Sequence, residues 1–168
     1  MPSAIQPGRY GVVNSGGLLS WLIRKATHSP YDHAFIVGDN GQVVEAAARG
    51  VRVEWLSEYA GKPLAFNTGE IMTDQQRRTV VDTAVKAVNE PYSYLDLGAL
   101  GLNALGWHWR WLFKLLGKEH VTICSQLCAV AGAAAGLDWM CGRANADEVT
   151  PADLASRPGV EVWTGPLT

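Results

Sequence analysis

"YDHAFIVGDNGQVVEAAARGVRVEWL", residues 31–56, decides how this chain folds. Two arms rich in β-branched and aromatic residues flank Asp39, Asn40 and Gly41, a strong hairpin signal. The second arm runs into "GVRVEWL", which alternates again and predicts a third strand. How the hairpin closes bears on chemistry. With a three-residue loop and Gly41 in the left-handed bulge position, Gly38 opposes Gln42, Val37 opposes Val43, Phe35 opposes Glu45 and His33 opposes Ala47. His33, Phe35 and Val37 share one face of their strand, and Glu45 becomes the diagonal neighbour of His33 on that face. A two-residue "NG" turn would instead carry Glu45 to the opposite face, because a one-residue slip inverts the pattern. Glu45 reads either as a surface glutamate or as a buried carboxylate within "QVVEAAA". In the second case it needs a partner, and His33 is a reasonable one.

Outward from the hairpin, "GVV" at 11–13 predicts a strand, Asn14 to Gly17 a turn, and Leu18 to Arg24 the start of a helix. A helix is expected over 73–90, with Thr73 as cap and Gln76 as its reciprocal partner. Val80, Val81, Ala84, Val85 and Val88 mark its apolar stripe, and Pro91 stops it. A further helix is expected to begin near Cys124, after a short extended stretch, and to run to about Ala135, ended by Gly136. "TPADL" supplies Thr150 as a cap, Pro151 at the first helical position and Asp153 as the capping-box acid. "VEVWTG" suggests a closing strand. No repeat or linker divides the chain, so residues 1–168 are expected to form one domain of helices packed against an antiparallel sheet. Residues 95–118 stand apart as an aromatic-rich helical insertion carrying Trp107, Trp109 and Trp111. Two readings fit it: a packed helical segment, or an aromatic and leucine surface for an acyl chain, a membrane interface or another protein.

The 168 residues are 48% hydrophobic and 18% charged, with a formal net charge of -2. That balance speaks against a nucleic-acid partner. Arg110, Lys114 and Lys118 form the nearest thing to a basic patch, and three residues are too few for a polyanion site. The three cysteines are odd in number and irregularly spaced, which fits neither a disulfide framework nor a zinc pattern. "MPSAIQPGRY" lacks the apolar run of a secretory signal, so synthesis in the cytoplasm is expected. The most lipid-like window, Leu95 to Phe113, is interrupted by Asp96, His108 and Arg110 and makes a poor membrane span.

Cys124 sits where a helix is expected to start, and there the unpaired backbone N–H groups and the macrodipole favour a thiolate. The same place offers a donor for an oxyanion formed when sulfur attacks a carbonyl. Ordinary core packing is the plain alternative. Cys128, one turn on among leucine and alanine, reads as inert filler, and Cys141 has no obvious partner. Thiol catalysis wants an imidazole and a third group that orients it. Among His28, His33, His108 and His120, only His33 falls in a predicted strand that would fix its position. His33, Cys124 and Glu45 could alternatively hold zinc. A dedicated zinc site more often shows paired cysteines or a His-rich motif, so no metal and no cofactor is expected. "NSGG" lacks the lysine and spacing of a phosphate loop.

In this order, "GVVNSGGLLSWLIRKATHSPYDHAFIV", "GQVVEAAARGV", "PYSYLD", "TICSQLC" and "TPADL" resemble the circularly permuted branch of the NlpC/P60 superfamily. The resemblance spans roughly residues 8–154. It implies an α+β, circularly permuted papain-like fold, with the histidine strand before the cysteine helix. Carried onto matching positions, Cys124 resembles the family nucleophile and His33 its general base. Glu45, twelve residues beyond the histidine, stands where relatives place histidine or another polar side chain, which favours the three-residue loop. Tyr31, Ser125 and Gln126 are the pocket-lining candidates. The resemblance implies a cysteine hydrolase acting on a peptide or other acyl-containing substrate through a thioester, with peptidase or amidase action first. A lipid-directed acyltransferase of the same fold, or a non-catalytic binding module, are the alternatives.

Overall fold

The computed structural model describes residues 5–47, 50–89 and 120–167. It is an α+β fold built on a six-stranded antiparallel sheet. In chain order the strands are β1 (Tyr10–Val13), β2 (His33–Val37), β3 (Gln42–Ala47), β4 (Gly50–Trp55), β5 (Leu64–Phe66) and β6 (Glu161–Trp163). Their order across the sheet is β4-β3-β2-β1-β5-β6. The helices among the described residues are α1 (Gly17–Thr27), α2 (Asp74–Asn89), α3 (His120–Ala134) and α4 (Pro151–Ala155). The insertion at 95–118, with Trp107, Trp109 and Trp111, lies outside the described residues, as does Pro91. No helix among the described residues is long and apolar enough to cross a membrane.

The hairpin closes as the three-residue loop requires. Val37 faces Val43, Ile36 faces Val44, and Gly38 N–H donates to the Gln42 carbonyl at 2.8 Å. Asn40 joins Gly41 in the left-handed region, with φ of 54° and 80°. Asparagine and glycine are the residues that enter it most easily. The strand β5 has no counterpart in the sequence reading, because three residues are too short to display a period. It zips β1 to β6 through Gly11–Phe66 and Ala65–Val162 pairings.

Side-chain alternation splits the core into two layers. One layer packs Val12, Ala34, Ile36, Val44, Ala46 and Ala65 against α2 and α3. The other holds Val13, Phe35, Val37, Val43, Leu64 and Phe66 with Leu56 and Tyr59. Helix α2 begins with the anticipated capping box. Thr73 Oγ1 accepts from Gln76 N–H at 3.2 Å, and Gln76 Oε1 accepts from Thr73 N–H at 2.9 Å. Val80, Val81 and Ala84 are buried, whereas Val85 is exposed. Val85 lies at the outer edge of the apolar arc, past the line where α2 meets the sheet. At α4, Thr150, Pro151 and Asp153 form the complete cap.

Helix α3 departs from expectation at its start. It begins at His120, a full turn ahead of Cys124, so "HVT" is helical rather than extended. A helix buried on most sides has little amphipathic contrast to mark where it begins. Its end is as expected. Gly136 takes φ 69°. Leu137 N–H reaches the Gly132 carbonyl at 2.9 Å and Gly136 N–H the Ala133 carbonyl at 3.0 Å, a Schellman closure. The chain then folds Trp139 back onto the helix, where its indole lies against Gly132. Trp139 is pinned there by its Nε1–H bond to Glu70 at 2.9 Å. Glu70 also accepts from Asn67 at 2.7 Å and pairs with Arg157 at 3.1 Å, which ties the C-terminal segment to β5.

Gly132→Ala pits two effects against each other. Alanine gains about 1 kcal/mol of helix propensity. A Cβ, however, would stand 2.5 Å from the pinned indole, and forced overpacking costs about 1–3 kcal/mol. The substitution is expected to lower stability on balance. Urea denaturation checks this; a gain in stability would show that the indole can move.

Candidate active site

Glu45 lies on β3 with 1% of its surface exposed, and all of its acceptor capacity is in use. His33 Nε2–H donates to Oε2 at 2.8 Å. The Tyr59 hydroxyl donates to the same oxygen. Arg52 grips Oε1 with Nε at 2.8 Å and Nη2 at 2.7 Å. The elements explain the convergence. The hairpin register puts His33 diagonal to Glu45, and β3–β4 pairing puts Arg52 directly opposite it. The 3₁₀ turn Leu56–Tyr59 then brings Tyr59 back over the sheet, where its ring stacks on Phe35 at 4.9 Å. Burial alone would raise the Glu45 carboxyl. The His33 bond and charge, then the Tyr59 and Arg52 bonds, outweigh it and bring it down to about 2. Burial likewise pushes the Tyr59 phenol up, and its bond to Glu45 adds to this, so it remains a donor.

His33 joins this carboxylate to sulfur. Its ring hydrogen-bonds Cys124 as well as Glu45. With Nε2 held by the carboxylate, Nδ1 is the nitrogen left for the thiol. Burial disfavours the imidazolium. The electrostatic interaction and hydrogen bond with Cys124, and then the hydrogen bond and charge of Glu45, overcome it and raise the ring to about 10. The three residues foreseen from sequence therefore meet. They do so across the sheet: His33 and Glu45 share the face of Phe35, whereas Cys124 comes from α3, packed with Ala34 and Ile36 on the other. The meeting point is the first residue of β2. The ring of His33, 18% exposed, is where the cluster reaches solvent, since Glu45 and Cys124 are each 1% exposed.

The oxyanion donor needs correction. Cys124 is the fifth residue of α3. At that depth a backbone N–H is used by the carbonyl four residues back, and the macrodipole is weaker than in the first turn. Burial pushes the Cys128 thiol well above its ordinary value and lifts that of Cys141 to about 11. Cys141 donates instead to the Trp139 carbonyl at 3.4 Å.

Among the pocket-lining candidates, Tyr31 is buried in the core layer that contains Cys124. Ser125 is fully buried, and its hydroxyl donates to the Val149 carbonyl, fastening α3 to the segment before α4. Gln126 is half-buried on α3. His28 is exposed and closes α1 in a left-handed conformation. His108 lies outside the described residues.

Three contributors escaped the sequence reading. Arg52 was legible in principle, as an opposite charge directly across from Glu45 once β3 and β4 are paired. Tyr59 carried no local signal. Asp32, adjacent to His33, is buried and accepts from Ser15 N–H at 2.9 Å and from the hydroxyls of Ser15 and Ser20. It thereby holds the Asn14–Gly17 turn against the start of β2. A separate groove of about 340 Å³, lined by Gln6, Asp39, Asp74, Arg77 and Arg78 among others, contains none of these residues.

No family model matches this chain, and no curated protein matches it by sequence. Among solved structures, the fold is similar to the metalloprotein yiiX of Escherichia coli O157:H7, a DUF1105 protein. The TM-score is 0.59 at 17% identity, over 97% of this chain and 98% of that one. At that identity the likeness concerns the fold alone.

The cluster ties stability to pH with a definite sign. Glu45 lies below its ordinary 4.5 when folded, so its contribution is complete above that pH and is lost as pH falls towards 2. His33 lies above its ordinary 6.5, so its contribution is complete below that pH and is lost as pH rises through about 10. Denaturation midpoints measured across this range are expected to fall at both ends. Glu45→Gln should flatten the acid limb, and an unchanged acid limb would exclude Glu45 as its source.

Proposed function

We propose that this chain is a cysteine hydrolase, with peptide or amide bonds as first choice of substrate and a circularly permuted papain-like fold of the NlpC/P60 kind. The observation that carries the reading is His33, bonded through one side of its ring to a buried, ionised Glu45 and on the other to Cys124. A core cysteine needs no such partner. A half-buried histidine bridging a thiol and a carboxylate is the arrangement that activates a nucleophile and then recycles its proton.

In the proposed cycle, sulfur and ring rest as thiolate and imidazolium. The thiolate attacks the substrate carbonyl and forms a C–S bond. His33 gives its proton to the leaving nitrogen as the C–N bond breaks, leaving a thioester on Cys124. Neutral His33 then takes a proton from water as the water oxygen attacks the thioester carbon. The C–S bond breaks, the acid departs, and the ion pair is restored. Glu45 holds Nε2 protonated throughout, so that Nδ1 faces sulfur.

The name of the similar structure raises a metal reading for the same side chains. Their bonding works against it. Both Glu45 oxygens already accept from Arg52, Tyr59 and His33, and a guanidinium beside the carboxylate repels a cation. Among the described residues no group of three His, Cys, Asp or Glu is arranged to hold a metal ion.

Iodoacetamide at mildly acidic pH is expected to alkylate Cys124 well ahead of Cys128 and Cys141, and His33→Ala should remove that advantage. Mass spectrometry after exposure to peptide and acyl-ester mixtures should find the acyl group on Cys124. Once a substrate is known, Cys124→Ala should abolish turnover, and His33→Ala should cost about a hundredfold or more. Glu45→Gln should be milder, because an amide can still orient the ring. Full activity in Cys124→Ala would end the proposal.

A further inference from the structure

We propose that Arg52 is a positioning and charge-balancing residue, whose grip on Glu45 Oε1 keeps the Cys124–His33–Glu45 cluster electrically neutral both before and after sulfur is acylated. This inference rests on the thiol reading above and adds a requirement to it.

The geometry separates two jobs on one carboxylate. Oε2 serves the ring, with Tyr59 as a second, neutral donor, while Oε1 is given wholly to Arg52. In the resting state of the proposed cycle the thiolate cancels the imidazolium, and the carboxylate cancels the guanidinium. On acylation the sulfur loses its charge and the ring loses its proton. Carboxylate and guanidinium remain, still balanced. Without Arg52 the acylated state would hold a buried carboxylate with only neutral donors. The ring would then keep its proton to compensate, and an imidazolium cannot accept the proton of attacking water.

The described residues bring these charged and titratable groups to this point. Strand β2 contributes His33, preceded by the buried Asp32 that accepts from Ser15 and Ser20, and β4 contributes Arg52 with Glu54, whose Oε2 is 4.0 Å from Arg52 Nη1. The following turn contributes Tyr59, with Lys62 Nζ 5.0 Å above its ring. Helix α3 contributes Cys124. Arg52 alone among them pairs directly with the buried carboxylate as a permanent cation. Its side chain is 58% exposed, so solvent screens its field and the expected effect is modest.

Cys124→Ala supplies the test, because its methyl group carries the same charge as an acylated sulfur and no substrate is needed. The His33 ring can be followed by nitrogen-detected NMR against pH in the full chain, assigned by its absence in His33→Ala. Adding Arg52→Gln is expected to raise the His33 pKa by about one pH unit, a tenfold gain in proton affinity. Adding Arg52→Lys, which keeps the charge but not the fork, should leave it within a few tenths. An unmoved or lowered pKa in Arg52→Gln overturns the proposal, as does a shift in Arg52→Lys as large as in Arg52→Gln. Should the Gln variant fail to fold, Arg52→Met, which also removes the charge, takes its place with the same expected rise and the same overturning outcomes. A merely structural role would lower stability without moving the titration. Iodoacetamide labelling of the otherwise native chain is read separately. If Cys124 labels no faster than Cys141, the hydrolase reading falls, whatever the titration gives.

Discussion

A carboxylate withdrawn from water must be compensated where it stands, and Glu45 imposes that condition on everything around it. Its position on β3 is fixed by the hairpin, so the compensating groups have to come to it. They arrive from a neighbouring strand on each side and from the turn that follows β4. The aromatic stack of Tyr59 on Phe35 then seals the layer above. Because each donor enters from a different element, the carboxylate also acts as a register gauge. A slip of one residue in the β2–β3 pairing would turn Glu45 away from His33, and one in the β3–β4 pairing would turn it away from Arg52.

The placement of Cys124 follows from how a sheet ends. Within the sheet, the two core layers are kept apart by the strands themselves. At the first residue of β2 this partition stops, and a side chain from one layer can meet one from the other. The Asn14–Gly17 turn, tied down by Asp32, defines the neighbouring rim of that opening. Bonding between His33 and Cys124 is therefore confined to a boundary, which lets the ring touch solvent while its two partners stay covered.

Local grammar made much of this readable. The "DNG" loop length set the strand register, and with it the His33–Glu45 contact. The capping boxes at Thr73 and Thr150 and the glycine stop at Gly136 needed only residues within one turn. What escaped was decided at a distance or lacked contrast. Helix α3 is too evenly apolar to announce its first turn, so the sequence pattern puts Cys124 one turn too close to the start. Strand β5 has only three residues. Tyr59 meets Glu45 only after a turn whose path no short pattern specifies, and Val85 was assigned to a buried face that α2 does not present that far round.

The polar part of the cluster is encoded almost without interruption between residues 33 and 59, whereas the sulfur is delivered from far along the chain. The carboxylate, guanidinium, phenol and imidazole can satisfy one another without the thiol. The polar cluster and the thiol are thus written in separable stretches of sequence. A descendant that exchanged Cys124 for a small inert side chain would keep an oriented, partly wetted imidazole on an intact scaffold. From such a starting point, selection could turn the proposed reactive centre into a recognition surface without rebuilding the sheet.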